Sequence, residues 1–218
     1  MSDLLKKLLN SAKKAELGHG IHENCIITKV ESGGRVKKDG EVNPRNCFTT
    51  LAQLNEKSEI VGEREVSWFE LDVTSEYIRE NFSEQILQLV GIMECFFTAE
   101  EIDGLFNPIF EEHGIFDDAT LDDILSDKAS LKKLMKEITE NYAVNLEGVL
   151  NDKESPIRVK FAYDDKGKYI QQPRYGVFVE SMSVEKKNSA LKMTDRDNQN
   201  EIKSRNLSNT TTTQTVKI

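Results

Sequence analysis

The sequence predicts an α+β fold in which short strands flank a long helical block. Three observations carry that reading. Residues 64–72 and 156–163 alternate apolar and polar side chains, the period of two that turns one strand face toward a core. Between them, from Ser75, apolar residues recur at spacings of three and four, which lines one face of a helix. Beyond about Glu185 the apolar content collapses into Asn, Ser and Thr, with a threonine run at 210–213.

In chain order, residues 3–17 place Leu4, Leu5, Leu8, Leu9 and Ala12 on one helical face and Lys6, Lys7, Lys13 and Lys14 on another. A basic amphipathic helix over 1–17 follows, ended by Gly18 and Gly20. It either packs on its own domain or docks on a partner subunit or a membrane surface, and self-association through it is one such expectation. The β-rich run Cys25 to Val30 is a first strand, followed by a basic hairpin, Arg35 to Gly40, with Asp-Gly at its tip. Asn46 to Leu54 is a second strand and Arg64 to Asp72 a third, with Val66 and Trp68 on its apolar face.

Ile78, Phe82, Ile86, Leu89, Val90 and Met93 then mark a buried helix ending near Phe97. Thr98 to Glu101 forms a capping box for a short helix to about Phe106, before Asn107-Pro108. Thr120 to Asp123 starts another, and Asp127 or Ser130 caps a longer one through Tyr142. Ile157, Val159, Phe161 and Tyr163 define the next strand, Asp165 to Lys168 a hairpin turn, and Tyr175 to Met182 a final strand. Residues 186–218 read as a disordered polar tail, too poor in apolar surface to offset the entropy of ordering.

Five or so short strands with helix between the third and fourth is the order of an OB-like, five-stranded Greek-key β-barrel. The expected organisation is thus an OB-like domain over 18–185 carrying an acidic helical insertion at about 75–155. Loop closure across such an insertion is tolerable because its entropic cost grows slowly with length.

The net charge of −9 argues against a polyanion partner until it is partitioned. Residues 1–72 carry 11 basic and 12 acidic groups, residues 73–155 carry 6 and 19, and residues 156–218 carry 12 and 7. The negative excess belongs to the helical block, which leaves a confined basic groove available on the strands. No apolar run reaches the roughly 18–20 residues of a membrane helix, and the start lacks a secretory signal. Cys25, Cys47 and Cys95 are odd in number and form no CxxC pair, so a reducing, cytoplasmic setting is expected.

Several chemistries lack their residues. No GxxxxGK[ST] or GxGxxG loop occurs. His19, His22 and Cys25 have an HxxHxxC spacing without a nearby fourth ligand, and the acidic clusters lack the glycine and glutamate register of a calcium loop. Neither a metal, a cofactor nor an enzymatic activity is expected.

Basic residues interleaved with aromatics do stand out. Lys29, Arg35, Lys37, Lys38 and Arg45 surround the first hairpin, Trp68 and Phe69 lie on the third strand, and Lys160, Tyr163, Lys166, Lys168, Tyr169, Arg174 and Tyr175 fill the last. Cations that track phosphates beside rings that stack on bases hold single-stranded nucleic acid. The competing reading puts Phe48, Trp68, Phe161 and Phe178 in the core and leaves Tyr169 and Tyr175, beside turns and flanked by Lys168 and Arg174, as the stacking rings.

These residues also carry a resemblance. Gly20 to Asn24 running into Ile26 to Glu31, then Phe69-Glu70, Ile157 to Phe161, Asp165 to Tyr169, Pro173 to Tyr175 and Phe178 to Met182 resemble the single-stranded DNA-binding proteins of tailed bacteriophages, mainly over 20–72 and 156–182. The resemblance implies an OB-fold that coats exposed single strands in phage DNA replication, recombination or repair, in the host cytoplasm. Such proteins often end in an acidic tail that recruits partners. Here 186–218 carries 7 basic and 3 acidic groups, so recruitment of replication or recombination proteins falls to the acidic helices. The alternative is a structural or protein–protein interaction module that uses those helices and the N-terminal helix.

Overall fold

A computed structural model describes residues 15–34, 40, 45–173 and 176–214, the last seven by backbone alone. Residues 1–14 of the helix expected over 1–17, and Arg35, Lys37, Lys38, Arg174 and Tyr175, lie outside the described residues. The described chain is mixed α+β, with β1 (Ala15–Glu16), β2 (Gly20–Ser32), β3 (Arg45–Leu54) and β4 (Ile60–Phe69) preceding four helices. These are α1 (Ile78–Met93), α2 (Ala99–Glu112), α3 (Asp118–Ser126) and α4 (Lys128–Leu146). β5 (Ile157–Tyr163), β6 (Ile170–Gln171), β7 (Val179–Ser181) and α5 (Asp195–Gln214) complete it.

β2, β3 and β4 form an antiparallel meander, and β5 returns antiparallel beside β2. β7 and β6 pair with successive stretches of the far edge of β5. On the opposite edge, β1 lies parallel to β4 at Gly62 and Glu63. Residues 15–17, expected as the end of a helix, are therefore extended. Gly62 permits the approach, since a Cβ there would sit 2.8 Å from Leu17 Cδ2 and 3.1 Å from the Ala15 carbonyl oxygen.

The sheet curls into a half-barrel of seven strand segments, two of them only two residues long, in place of the expected five. Among the described residues no ladder joins β4 to β6. Side chains span that seam: Arg64 Nη1 donates to the Ile170 carbonyl at 2.9 Å, and Gln172 Nε2 to the Ser67 carbonyl at 2.9 Å. The physical reason lies in the concave face. One continuous core holds Ile27, Leu51, Trp68 and Phe161 of the sheet together with Leu89, Leu134, Ile138 and Tyr142 of the helices. Tyr142 of α4 bonds the Thr49 hydroxyl at 2.8 Å and meets the edge of Trp68 with ring centroids 5.8 Å apart. The helical block thus fills the half-barrel and is no detachable appendage.

The capping signals resolve locally. Thr98 and Glu101 make the expected box on α2. Asp117 caps α3 with Thr120 as its reciprocal third residue, and Asp127, rather than Ser130, caps α4. α2 runs through Pro108 to Glu112 instead of stopping near Phe106. Ile109 and Phe110 pack on the core beyond the proline, and that burial outweighs the lost backbone bond.

The expected disordered tail is the largest correction. Residues 186–188 form a 3-10 turn, Leu191 is buried, and α5 lies against β5. Polar side chains order it: Asp197 and Asn200 are buried, and their bonds to the sheet replace the apolar contacts that composition shows to be missing.

Candidate nucleic-acid interface

Strand parity sorts the aromatics. Val66 and Trp68 of β4 point into the core, so Phe69, one residue on, faces out with half its surface exposed. Trp68 is buried and donates through Nε1 to Gln88 at 3.1 Å, so its expected role in stacking on bases is corrected. Phe48, Phe161 and Phe178 are buried too. Beside Phe69, the Arg45 guanidinium lies 5.6 Å from the ring centroid while Nη1 pairs with Glu65. Lys29 spans Glu31 at 2.8 Å and the Phe48 ring at 5.5 Å.

A second cluster sits on the turn between β5 and β6. Gly167 N–H bonds the Asp164 carbonyl at 2.8 Å, and Asp164 Oδ1 accepts from the backbone N–H of Lys168 and of Tyr169 at 2.6 and 3.1 Å. Gly167, at φ +68°, supplies the left-handed residue that this turn requires. The result holds Lys166, Lys168 and Tyr169 outward. Tyr169 is 60% exposed and Lys168 Nζ lies 5.0 Å from its ring centroid.

Between the clusters runs a groove of about 610 Å³, walled by Phe69 on one side and Ile170, Gln171 and Gln172 on the other, with α1 as its floor. Glu65, Glu70, Asp72 and Glu84 line it, and no lysine or arginine does among the described residues. The basic side chains of the two clusters therefore lie outside the groove's lining.

Two further expected contacts move. Lys160 is buried on the outer face of β5, where its Nζ meets Asp197 at 3.2 Å and the Lys192 carbonyl at 3.0 Å. It is spent on the C-terminal segment and is not available to phosphate. Tyr163 is half-buried and stacks on His19 with centroids 5.3 Å apart. Of the thirteen expected site residues, the structure thus groups Lys166, Lys168 and Tyr169 on one turn and places Arg45 and Lys29 on the sheet's outer face.

Of the two third-strand aromatics, the expected site takes Trp68, and strand parity makes Phe69 the exposed one. Arg196 and Lys203 are not among the expected site residues. Nothing in the local sequence marks them, because they reach the turn only through the packing of α5.

Among the described residues, metal-ligating groups do not gather. His22 Nε2 lies 2.9 Å from the Gly18 carbonyl, and the Cys25 thiol faces backbone carbonyls of His22 and Glu23. Burial pushes that thiol up to about 12. Among the described residues no group of three His, Cys, Asp or Glu side chains converges, and no helix is long and apolar enough to cross a membrane.

No protein-family model matches the chain, and no curated protein or solved structure does either.

Proposed function

We propose that the protein is a non-catalytic, sequence-tolerant single-stranded DNA-binding protein built on an OB-like half-barrel. The observation that carries this reading is the β5–β6 turn, where two lysines and an exposed tyrosine are presented together at the rim of an open sheet. Stacking on such a ring is worth roughly 1–3 kcal/mol per base, and the lysines supply the salt-dependent attraction to phosphate. The meander β2–β3–β4 followed by helix and a strand returning beside β2 supports the OB-like assignment. In that fold the turn after the fourth strand and the loop between the first two flank the oligonucleotide path. Here the first of these is the Lys166–Tyr169 turn, and the second is the basic segment of Arg35, Lys37 and Lys38. The resemblance over 20–72 and 156–182 extends the proposal to phage DNA replication, recombination or repair in the host cytoplasm.

The acidic groove limits the path. A phosphate backbone is repelled from Glu70 and Asp72, so the strand would cross the rims, over Arg45–Phe69 and the turn. Binding of fluorescein-labelled oligo-dT to the full chain, read by anisotropy at low salt, tests the reading. Tight binding to oligo-dT over duplex is expected, weakening as salt rises. Tyr169→Ala and Lys168→Ala should each weaken it, Tyr169→Ala by about ten-fold. Equal or absent binding to single strand and duplex at low salt overturns it.

A second reading has its own observation. A groove lined by four carboxylates between two strand edges suits a basic protein segment, which would make the chain an interaction module for replication or recombination proteins. Loss of oligo-dT binding with retained capture of basic peptides favours it.

A further inference from the structure

The turn that carries Lys166, Lys168 and Tyr169 does not stand alone. α5 is seated on it and on the adjoining β5 by contacts of three kinds. The first is the buried pair of Lys160 and Asp197 at 3.2 Å, with side chains only 3% and 9% exposed. The second is Asn200, itself buried, whose Nδ2 donates to the Tyr163 carbonyl at 3.1 Å. The third is close approach at Gly167: a Cβ there would lie 2.7 Å from Ser204 N and 3.0 Å from the Asn200 carbonyl oxygen. The backbone of the turn and the backbone of the helix are in contact.

The charges on the turn make this seating consequential. Asp164, Asp165, Lys166 and Lys168 cancel one another. Asp164 is committed to the turn's own N–H groups. Asp165 is met from α5: Arg196 Nε and Nη2 grip its two carboxylate oxygens at 2.9 and 2.6 Å, and Lys203 Nζ donates to its carbonyl at 3.1 Å. Over 195–214 α5 carries three basic and three acidic groups, so its docking adds no net charge; its effect is local, setting Arg196 and Lys203 against Asp165. Docking thus pairs the Asp165 carboxylate with Arg196 beside the exposed Lys166 and Lys168.

We propose that α5 is a working part of the DNA interface: its docked face fixes the Asp164–Tyr169 turn, and Arg196, as a positioning and charge-cancelling residue, removes the local repulsion that Asp165 would exert on phosphate. The proposal rests on the single-stranded DNA-binding reading. Its charge component is local, since screening confines such effects to about 10 Å at 0.1 M salt.

The test compares the full chain with Arg196→Ala, Asp165→Asn and the double variant, in oligo-dT anisotropy at low salt and in hydrogen exchange of the turn. Arg196→Ala should weaken binding about five-fold, Asp165→Asn should preserve or tighten it, and the double variant should match Asp165→Asn. Amides of Gly167 to Tyr169 should exchange faster in Arg196→Ala and faster still in Asp197→Asn. If Arg196→Ala loses affinity equally with and without Asp165, the arginine touches DNA directly and charge cancellation is wrong. If Arg196→Ala changes neither affinity nor exchange, α5 is not part of the interface. If the unaltered chain does not bind oligo-dT, the proposed function fails and the DNA role of α5 with it, while the exchange data separately decide whether the helix orders the turn.

Discussion

Lys160 shows how a residue changes meaning once its surroundings are known. On an alternating strand it is the polar partner of Val159 and Phe161, indistinguishable in pattern from a surface cation. In the fold it is a buried ion paired with Asp197. Removing one partner of such a pair strands the other charge, so Lys160→Ala should cost about 3–5 kcal/mol of unfolding free energy in urea titration; an exposed DNA contact would leave stability unchanged. Tyr142 makes a comparable case for a neutral group. Burial raises its phenol well above the ordinary value although the Thr49 bond opposes that shift. Tyr142→Phe leaves the buried Thr49 hydroxyl without its partner, and a loss of about 1–3 kcal/mol in chemical denaturation is expected.

At the scale of elements, α5 is held by carboxylates whose titration gives a direct handle. Burial alone would raise the Asp197 carboxyl, but bonds from Thr194 and Lys160 outweigh it and hold it below its ordinary value. Arg196, and then Asn200 and Lys203, hold Asp165 low in the same way. A depressed carboxyl contributes stability that is present above its unfolded value, about 3.9, and is lost as pH falls through the folded one. Docking of α5 should therefore persist at neutral pH and weaken as pH drops below about 4. Faster exchange of the 164–169 amides or new protease cleavage between 186 and 195, before the core unfolds, checks this. The helix escapes sequence reading because its apolar content is low and its contacts are polar and distant, Lys160 to Asp197 above all. Capping, by contrast, is a three-residue affair, and Thr98 with Glu101 is legible directly.

At the scale of the whole molecule, sheet and helical block share one core, with Trp68 and Tyr142 in contact across it. Unfolding followed by Trp68 fluorescence and by far-ultraviolet circular dichroism should give coincident transitions for 45–181, as for a single cooperative unit. Separated midpoints would mean that the helical block folds apart from the sheet. The shared core also gives the acidic helices a structural duty besides any partner they bind. Their charges lie on solvent faces, while Leu134 and Ile138 fill the concave side of the sheet.

The order of β2–β4, the four helices of the central block and β5, and the apolar faces of β4, α1 and β5, were determined by sequence alone, because periodicity and capping are local consequences of backbone geometry. Phe69 was legible by the same parity, once Trp68 was assigned inward. Only the tertiary structure decided that the barrel stays open, that Lys160 is spent internally, and that the polar C-terminal segment folds onto the Asp164–Tyr169 turn. Those outcomes depend on contacts between residues 30 to more than 100 positions apart, such as Lys160 with Asp197 and Arg64 with Ile170, and no local pattern encodes which distant partner a charge or a strand edge will find.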